Sequence, residues 1–215
     1  MADLYDILDQ LMCWSEVLPI IILISSYFLS KKQPPLRWVF LAITAFLGGI
    51  YEFTSSYLPE YISLYWYYIF TLIETLGITL FFAPYTNKFW RWLVYMVFSI
   101  ITILLFTTSS VEANYYHFGW VCLLELILTL FGVFAWGRQR FQNITYPSLF
   151  QDPDYFVIIG LVFYLSACTL YYILYPMMIQ FPNDNALFYW IILPISITIY
   201  GVSLMIGSIR ITNKK

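Results

Sequence analysis

Three glutamates stand inside long apolar runs of this sequence, Glu52, Glu74 and Glu125, and no lysine or arginine shares the middle of those runs. A charged side chain at a bilayer centre costs about 2.5–3.5 kcal/mol on insertion scales. Each carboxyl group is therefore either protonated and hydrogen-bonded, or ionised beside water or a bound cation. Intramembrane ionisable groups commonly mark binding sites and ion paths. The plainer alternative is a protonated glutamate bonded to a tyrosine or threonine of a neighbouring helix, which ties a bundle together and does nothing else.

Helical spacing gives each glutamate companions, because residues three, four and seven apart share a face. Glu74 shares its stripe with Tyr67, Thr71 and Gly77, and Glu125 shares one with Cys122, Thr129 and Gly132. Glu52 follows Gly48 and Gly49, and a matching stripe runs through Ser196, Tyr200, Ser203 and Gly207. Small and polar faces pack inward in membrane bundles. Glu74, Glu52 and Glu125, with Tyr67 and Thr71 beside Glu74, are accordingly the candidate ligand-binding residues. Aromatics next to carboxylates suggest a cage for an organic cation.

The elements that must position these residues follow from composition. The chain has 215 residues, of which 61% are hydrophobic and 10% charged, against about 25% charged in an average soluble domain. Ten basic and twelve acidic residues leave no basic face for nucleic acid. A spanning helix needs about 20 mostly apolar residues, and seven stretches qualify, at 15–30, 38–58, 61–83, 89–107, 116–136, 155–175 and 187–209. The expected fold is all-α, a polytopic membrane protein with a single domain over 1–215.

Every basic residue falls at one end of these spans: Lys31, Lys32 and Arg37; Lys88 and Arg91; Arg138 and Arg140; Arg210, Lys214 and Lys215. The other end carries Asp3, Asp6, Asp9, Glu60, Glu112, His117 and Asp184. The positive-inside rule then puts the N-terminus outside and the C-terminus in the cytoplasm. On this reading the protein is multi-pass in the inner (cytoplasmic) membrane. The acidic start "MADLYDILDQ" lacks the basic region of a secretory signal, so no cleaved leader is expected. The sequon Asn143-Ile144-Thr145 falls on the cytoplasmic side and is discounted. Glu16 reads as a residue at the outer mouth of the first span. Trp14, Trp38, Tyr61, Trp90, Trp92, Trp136, Tyr155 and Trp190 read as interfacial belts at span ends.

Catalytic signatures are missing. The sequence has no H-E-x-x-H, P-loop or G-x-S-x-G motif, and Cys13, Cys122 and Cys168 lack metal-ligand spacing. No enzyme activity, metal or cofactor is expected.

The stretch "YYIFTLIETLGITLFF", with Tyr68, Thr71 and Glu74, resembles a small seven-helix inner-membrane family common in Bacteroidota. Genes of that family often neighbour sensor kinases and response regulators. The resemblance implies a sensory or accessory role, with the bilayer and a sensor kinase or other membrane partner as associates. Size and helix number also resemble SWEET-type transporters and the KDEL receptor, without a helix-by-helix match. The leading function is a sensory or accessory subunit with an outward-facing polar pocket; the alternatives, in order, are a small transporter of a cation or cation-coupled solute and a structural bundle without ligand.

Overall fold

The computed structural model describes residues 2–30, 34–55, 60–107, 111–142, 148–180 and 186–212. The side chains of Glu52, Glu60, Glu112 and His117, and the sequon at 143–145, lie outside the described residues. Seven α-helices account for most of what is described: α1 (Ala2–Ser30), α2 (Leu36–Ser55), α3 (Glu60–Phe82), α4 (Lys88–Thr107), α5 (Val111–Gln142), α6 (Pro153–Gln180) and α7 (Ala186–Thr212). Short 3-10 turns at Ala83–Tyr85 and Leu149–Gln151 precede α4 and α6. Among the described residues there is no strand. Four segments are long and apolar enough to cross a membrane: Tyr65–Tyr85, Phe118–Gln142, Pro153–Tyr175 and Ile191–Ile211.

The helices pack in chain order and close on themselves. α1 lies against both α2 and α7, α6 lies against α5 and α7, and α2 packs on α3. α3 touches α5 directly, so α4 sits outside that junction, packed on both. The result is a ring of six helices with α4 on its rim. Close crossings hold it together. At the α1–α7 crossing, a Cβ on Gly201 would lie 2.3 Å from the Ser15 carbonyl oxygen, a backbone atom that cannot swing aside. That carbonyl is the one Pro19 deprives of its helical amide partner, because proline has no N–H four residues on. The open carbonyl thus meets the one residue type whose Cα can approach it this closely.

Two sequence expectations change here. The first helix runs from Ala2 to Ser30, so Glu16 falls midway along α1 and is only 5% exposed. It is an interior residue, on a buried stripe with Met12, Pro19 and Leu23. The charges at Asp3, Asp6 and Asp9 hide the first turns of the helix from a search for apolar runs. Several of the tryptophans assigned to interfacial belts are also interior. Trp14 and Trp92 do face outward, but Trp38, Trp90 and Trp136 are buried. Trp38 meets the edge of Phe81 at 6.0 Å between ring centres, and Trp90 meets Phe82 at the same separation. With Leu128, Leu161 and Leu204, fully buried, these rings fill the half of the bundle nearest the basic residues.

That basic end is tied by charge as well. Asp152 caps α6 by accepting the Asp154 amide at 3.0 Å, and Pro153 takes the first helical position, where a missing N–H costs nothing. The cap presents Asp154 to Arg37 at the start of α2, with Nη2 2.9 Å from Oδ2. Tyr85 completes a triangle: its hydroxyl accepts from Arg37 at 2.7 Å and donates to Asp154. Arg140 pairs with Asp152 at 3.4 Å. The Arg210 guanidinium donates to the Phe150 carbonyl and lies over the Phe156 ring, 4.4 Å from its centre.

Candidate functional site

A cluster of buried polar groups lies near the middle of the helices. α3 carries Thr71, Glu74 and Thr75 on its inward stripe, all buried, as the 3.6-residue period requires. α5 brings Cys122, Glu125 and Thr129 to the same interior, and α1 adds Ser15 and Glu16. α6 contributes Tyr164 and Cys168, and α7 contributes Ser196 and Tyr200. Three carboxyl groups from three helices therefore share the core, and no described basic side chain is buried among them.

Their contacts form a chain. Thr75 Oγ1 lies 2.6 Å from Glu125 Oε1 and 2.9 Å from the Thr71 carbonyl. The Tyr164 side chain lies close to both Glu74 and Cys168, and Cys168 lies close to Cys122. Cys122 Sγ is 3.6 Å from the Tyr67 hydroxyl. Tyr164 stacks on Tyr200 at 5.2 Å, and Tyr200 lies close to Thr44 of α2. Gly48 and Gly49 leave the room that the Glu16 carboxyl occupies, since a Cβ on Gly48 would lie 3.0 Å from Glu16 Oε1.

A small cavity of about 30 Å³ opens within this cluster, walled by Glu16, Tyr51, Tyr67, Tyr164, Cys168 and Tyr172 among others. That is the space of about one water molecule. Above it, aromatic rings pack on one another: Tyr67 sits 4.0 Å from Phe118 and 5.8 Å from Tyr172, and Tyr51 lies 6.2 Å from Tyr67. Among the described residues, these rings pack against one another.

Of the five residues expected from sequence, Glu74, Glu125, Tyr67 and Thr71 come together. Tyr67 walls the cavity, Glu74 meets it through Tyr164, and Glu125 sits behind Thr75. Thr71 is buried on the same stripe but donates to the Tyr67 carbonyl at 2.9 Å, so its hydrogen serves its own helix. Glu52 lies in α2 by its backbone, and its side chain is outside the described residues. Glu16 and Tyr164 are the residues that sequence reasoning missed. The stripe through Met12, Glu16, Pro19 and Leu23 carried the signal for the first. Nothing in the apolar run around Tyr164 marked the second. Among the described residues, no group of three or more His, Cys, Asp or Glu side chains is placed to hold a metal ion. Compared with known proteins, the chain matches no family model, no curated protein and no solved structure.

Proposed function

We propose that the chain is a seven-span protein of the inner (cytoplasmic) membrane, with its N-terminus outside and C-terminus in the cytoplasm. Its role on this reading is that of a sensory or accessory subunit, not an enzyme. One observation carries the reading: Glu16 and Tyr164 wall a water-sized cavity, Glu74 and Glu125 are buried near them midway along the bundle, and apolar side chains fill the half nearest the basic residues. A cluster of carboxyls without cations responds to whatever small species reaches it, a proton or a single small cation. The closed half, filled by Trp38, Phe81, Phe82, Leu128, Leu161 and Leu204, favours sensing over passage. The likeness of the 68–74 stretch to the Bacteroidota family, whose genes neighbour sensor kinases, points toward a kinase or another membrane protein as the partner.

Transport of a proton or small cation is the second reading, supported by the line of carboxyl groups from α1 to α3 to α5. Proteoliposomes separate the two. Ion or proton flux that Glu74→Gln abolishes establishes transport and overturns the sensory reading. No flux, together with a pH- or cation-dependent shift in melting temperature that Glu74→Gln removes, supports sensing. If neither flux nor shift occurs, the cluster is structural glue.

A further inference from the structure

Four helices meet at one side chain beside the water-sized cavity. Tyr67 of α3 packs on Tyr51 of α2 at 6.2 Å between ring centres, on Phe118 of α5 at 4.0 Å and on Tyr172 of α6 at 5.8 Å. Tyr68 meets both Tyr67 and Phe118 edge-on. Tyr67, Tyr68 and Phe118 are buried and form a hydrophobic cluster distinct from the main core, with Tyr51 and Tyr172 packed against it.

Register sets this collar of rings between the helix ends and the carboxyl groups. Tyr67 stands seven residues after the start of α3 and seven before Glu74, and Phe118 stands seven after the start of α5 and seven before Glu125. Tyr172 stands eight residues before the end of α6 and eight beyond Tyr164. Seven helical residues rise about 10 Å, so the rings lie two turns from the carboxyl level. Tyr67 also reaches inward. It walls the cavity with Glu16, Tyr51, Cys168 and Tyr172, and its hydroxyl lies 3.6 Å from Cys122 Sγ, one turn deeper on α5 than Phe118. A long side chain on a helix has two favoured χ1 wells. Rotation of this one side chain therefore breaks ring contacts to three other helices at once, and an apolar constriction holds a path closed until it widens.

We propose that Tyr67 is the gate of the carboxyl cavity: its ring closes the path from the end where α3 and α5 begin, and its rotation admits the small species that the carboxyl groups take up. The inference rests on the reading that a proton or small cation reaches the cluster, and it names the residue that controls access. Cys168, in the cavity wall and 4% exposed, reports on the gate. The full chain in detergent is treated with methyl methanethiosulfonate, and modification at Cys168 is followed by peptide mass spectrometry. Modification is expected to be slow in the unaltered protein and in Tyr67→Phe, which keeps the ring. Tyr67→Ala is expected to speed it about tenfold or more. Trp38→Ala, which removes a larger ring from the half nearest the basic residues, is expected to leave the rate near that of the unaltered protein. That control separates a gate from general loosening of the bundle.

Equal rates in Tyr67→Ala and in either the unaltered protein or Tyr67→Phe overturn the proposal, as does equal acceleration by Trp38→Ala. Should Tyr67→Ala fail to fold, Phe118→Leu, which removes the ring 4.0 Å from Tyr67, decides in its place by the same measure. The gate and the sensing reading fail separately. An unchanged rate in Tyr67→Ala, with a pH-dependent melting shift that Glu74→Gln removes, refutes the gate alone. A faster rate without any pH- or cation-dependent shift upholds the gate and refutes the sensing reading.

Discussion

Thr75 of α3 stands between two acceptors, the Glu125 carboxyl at 2.6 Å and the Thr71 carbonyl at 2.9 Å, with one hydroxyl hydrogen to give. A neutral Glu125 resolves the count: its own O–H donates to Thr75 Oγ1, and the Thr75 hydrogen goes to Thr71. The pair joins α3 to α5 in a dry core, where a lost partner costs the full desolvation of the group left behind. Thr75→Val should then destabilise the protein by about 1–3 kcal/mol, read as a drop in melting temperature in detergent. Thr75→Ser should restore most of it. Glu125→Gln, neutral and still a donor, should cost less than Thr75→Val.

At the basic end, Asp154 accepts from both Arg37 and Tyr85 with its side chain only 6% exposed. Removing the acceptor leaves a guanidinium without its counter-charge. Asp154→Ala is expected to cost on the order of 3 kcal/mol, and the double variant Asp154→Ala with Arg37→Met distinctly less. Thermal denaturation of the four proteins of that cycle gives the comparison. Equal losses in the single and double variants would show that the ion pair itself matters little.

The α1–α7 crossing makes a sharper geometric prediction. Gly201→Ala sets a methyl group 2.3 Å from the Ser15 oxygen, so the two helices must part. Overpacking of this kind costs about 1–3 kcal/mol. Gly137, on α5, has nothing within 4 Å of its Cβ position. Gly137→Ala should stabilise by up to about 1 kcal/mol through helix propensity, which makes it the control for the same substitution.

Among the tryptophans, burial and not sequence position decides the outcome. Trp38 is fully buried against Phe81, so Trp38→Ala should cost about 3–5 kcal/mol. Trp92, 75% exposed on α4, should tolerate alanine with little loss. Brominated acyl chains should quench Trp92 fluorescence far more than that of Trp38.

Much of this arrangement was legible in the residues. The α3 stripe of Tyr67, Thr71 and Glu74 could be read because a helix imposes one period on burial, and α5 repeats it with Cys122, Glu125 and Thr129. Helix existence followed from apolar length: seven helices are observed, and four hold segments long and apolar enough to cross a membrane. The misses have physical causes. Glu16 was placed at a mouth because charged first turns do not look like part of an apolar helix, although the helix runs through them. Trp38, Trp90 and Trp136 stand near span ends in sequence, yet packing turned them inward. The Arg37–Asp154 pair joins residues 117 apart, and no local pattern announces such a partner.

The central claim is that the Glu16, Glu74 and Glu125 cluster answers to the acidic side of the membrane through the cavity beside Tyr164. Infrared difference spectroscopy of the reconstituted protein tests it most directly, by following carboxyl C=O bands as the buffer on that side is changed from H2O to D2O and across pH. Tyr164, Tyr200 and Cys168 also face the cluster, so the bands are assigned with Glu16→Gln, Glu74→Gln and Glu125→Gln. The account predicts a carboxyl band that shifts promptly in D2O and changes with pH, and that disappears in Glu74→Gln or Glu16→Gln. Carboxyl bands indifferent to both D2O and pH would show a sealed cluster and contradict it.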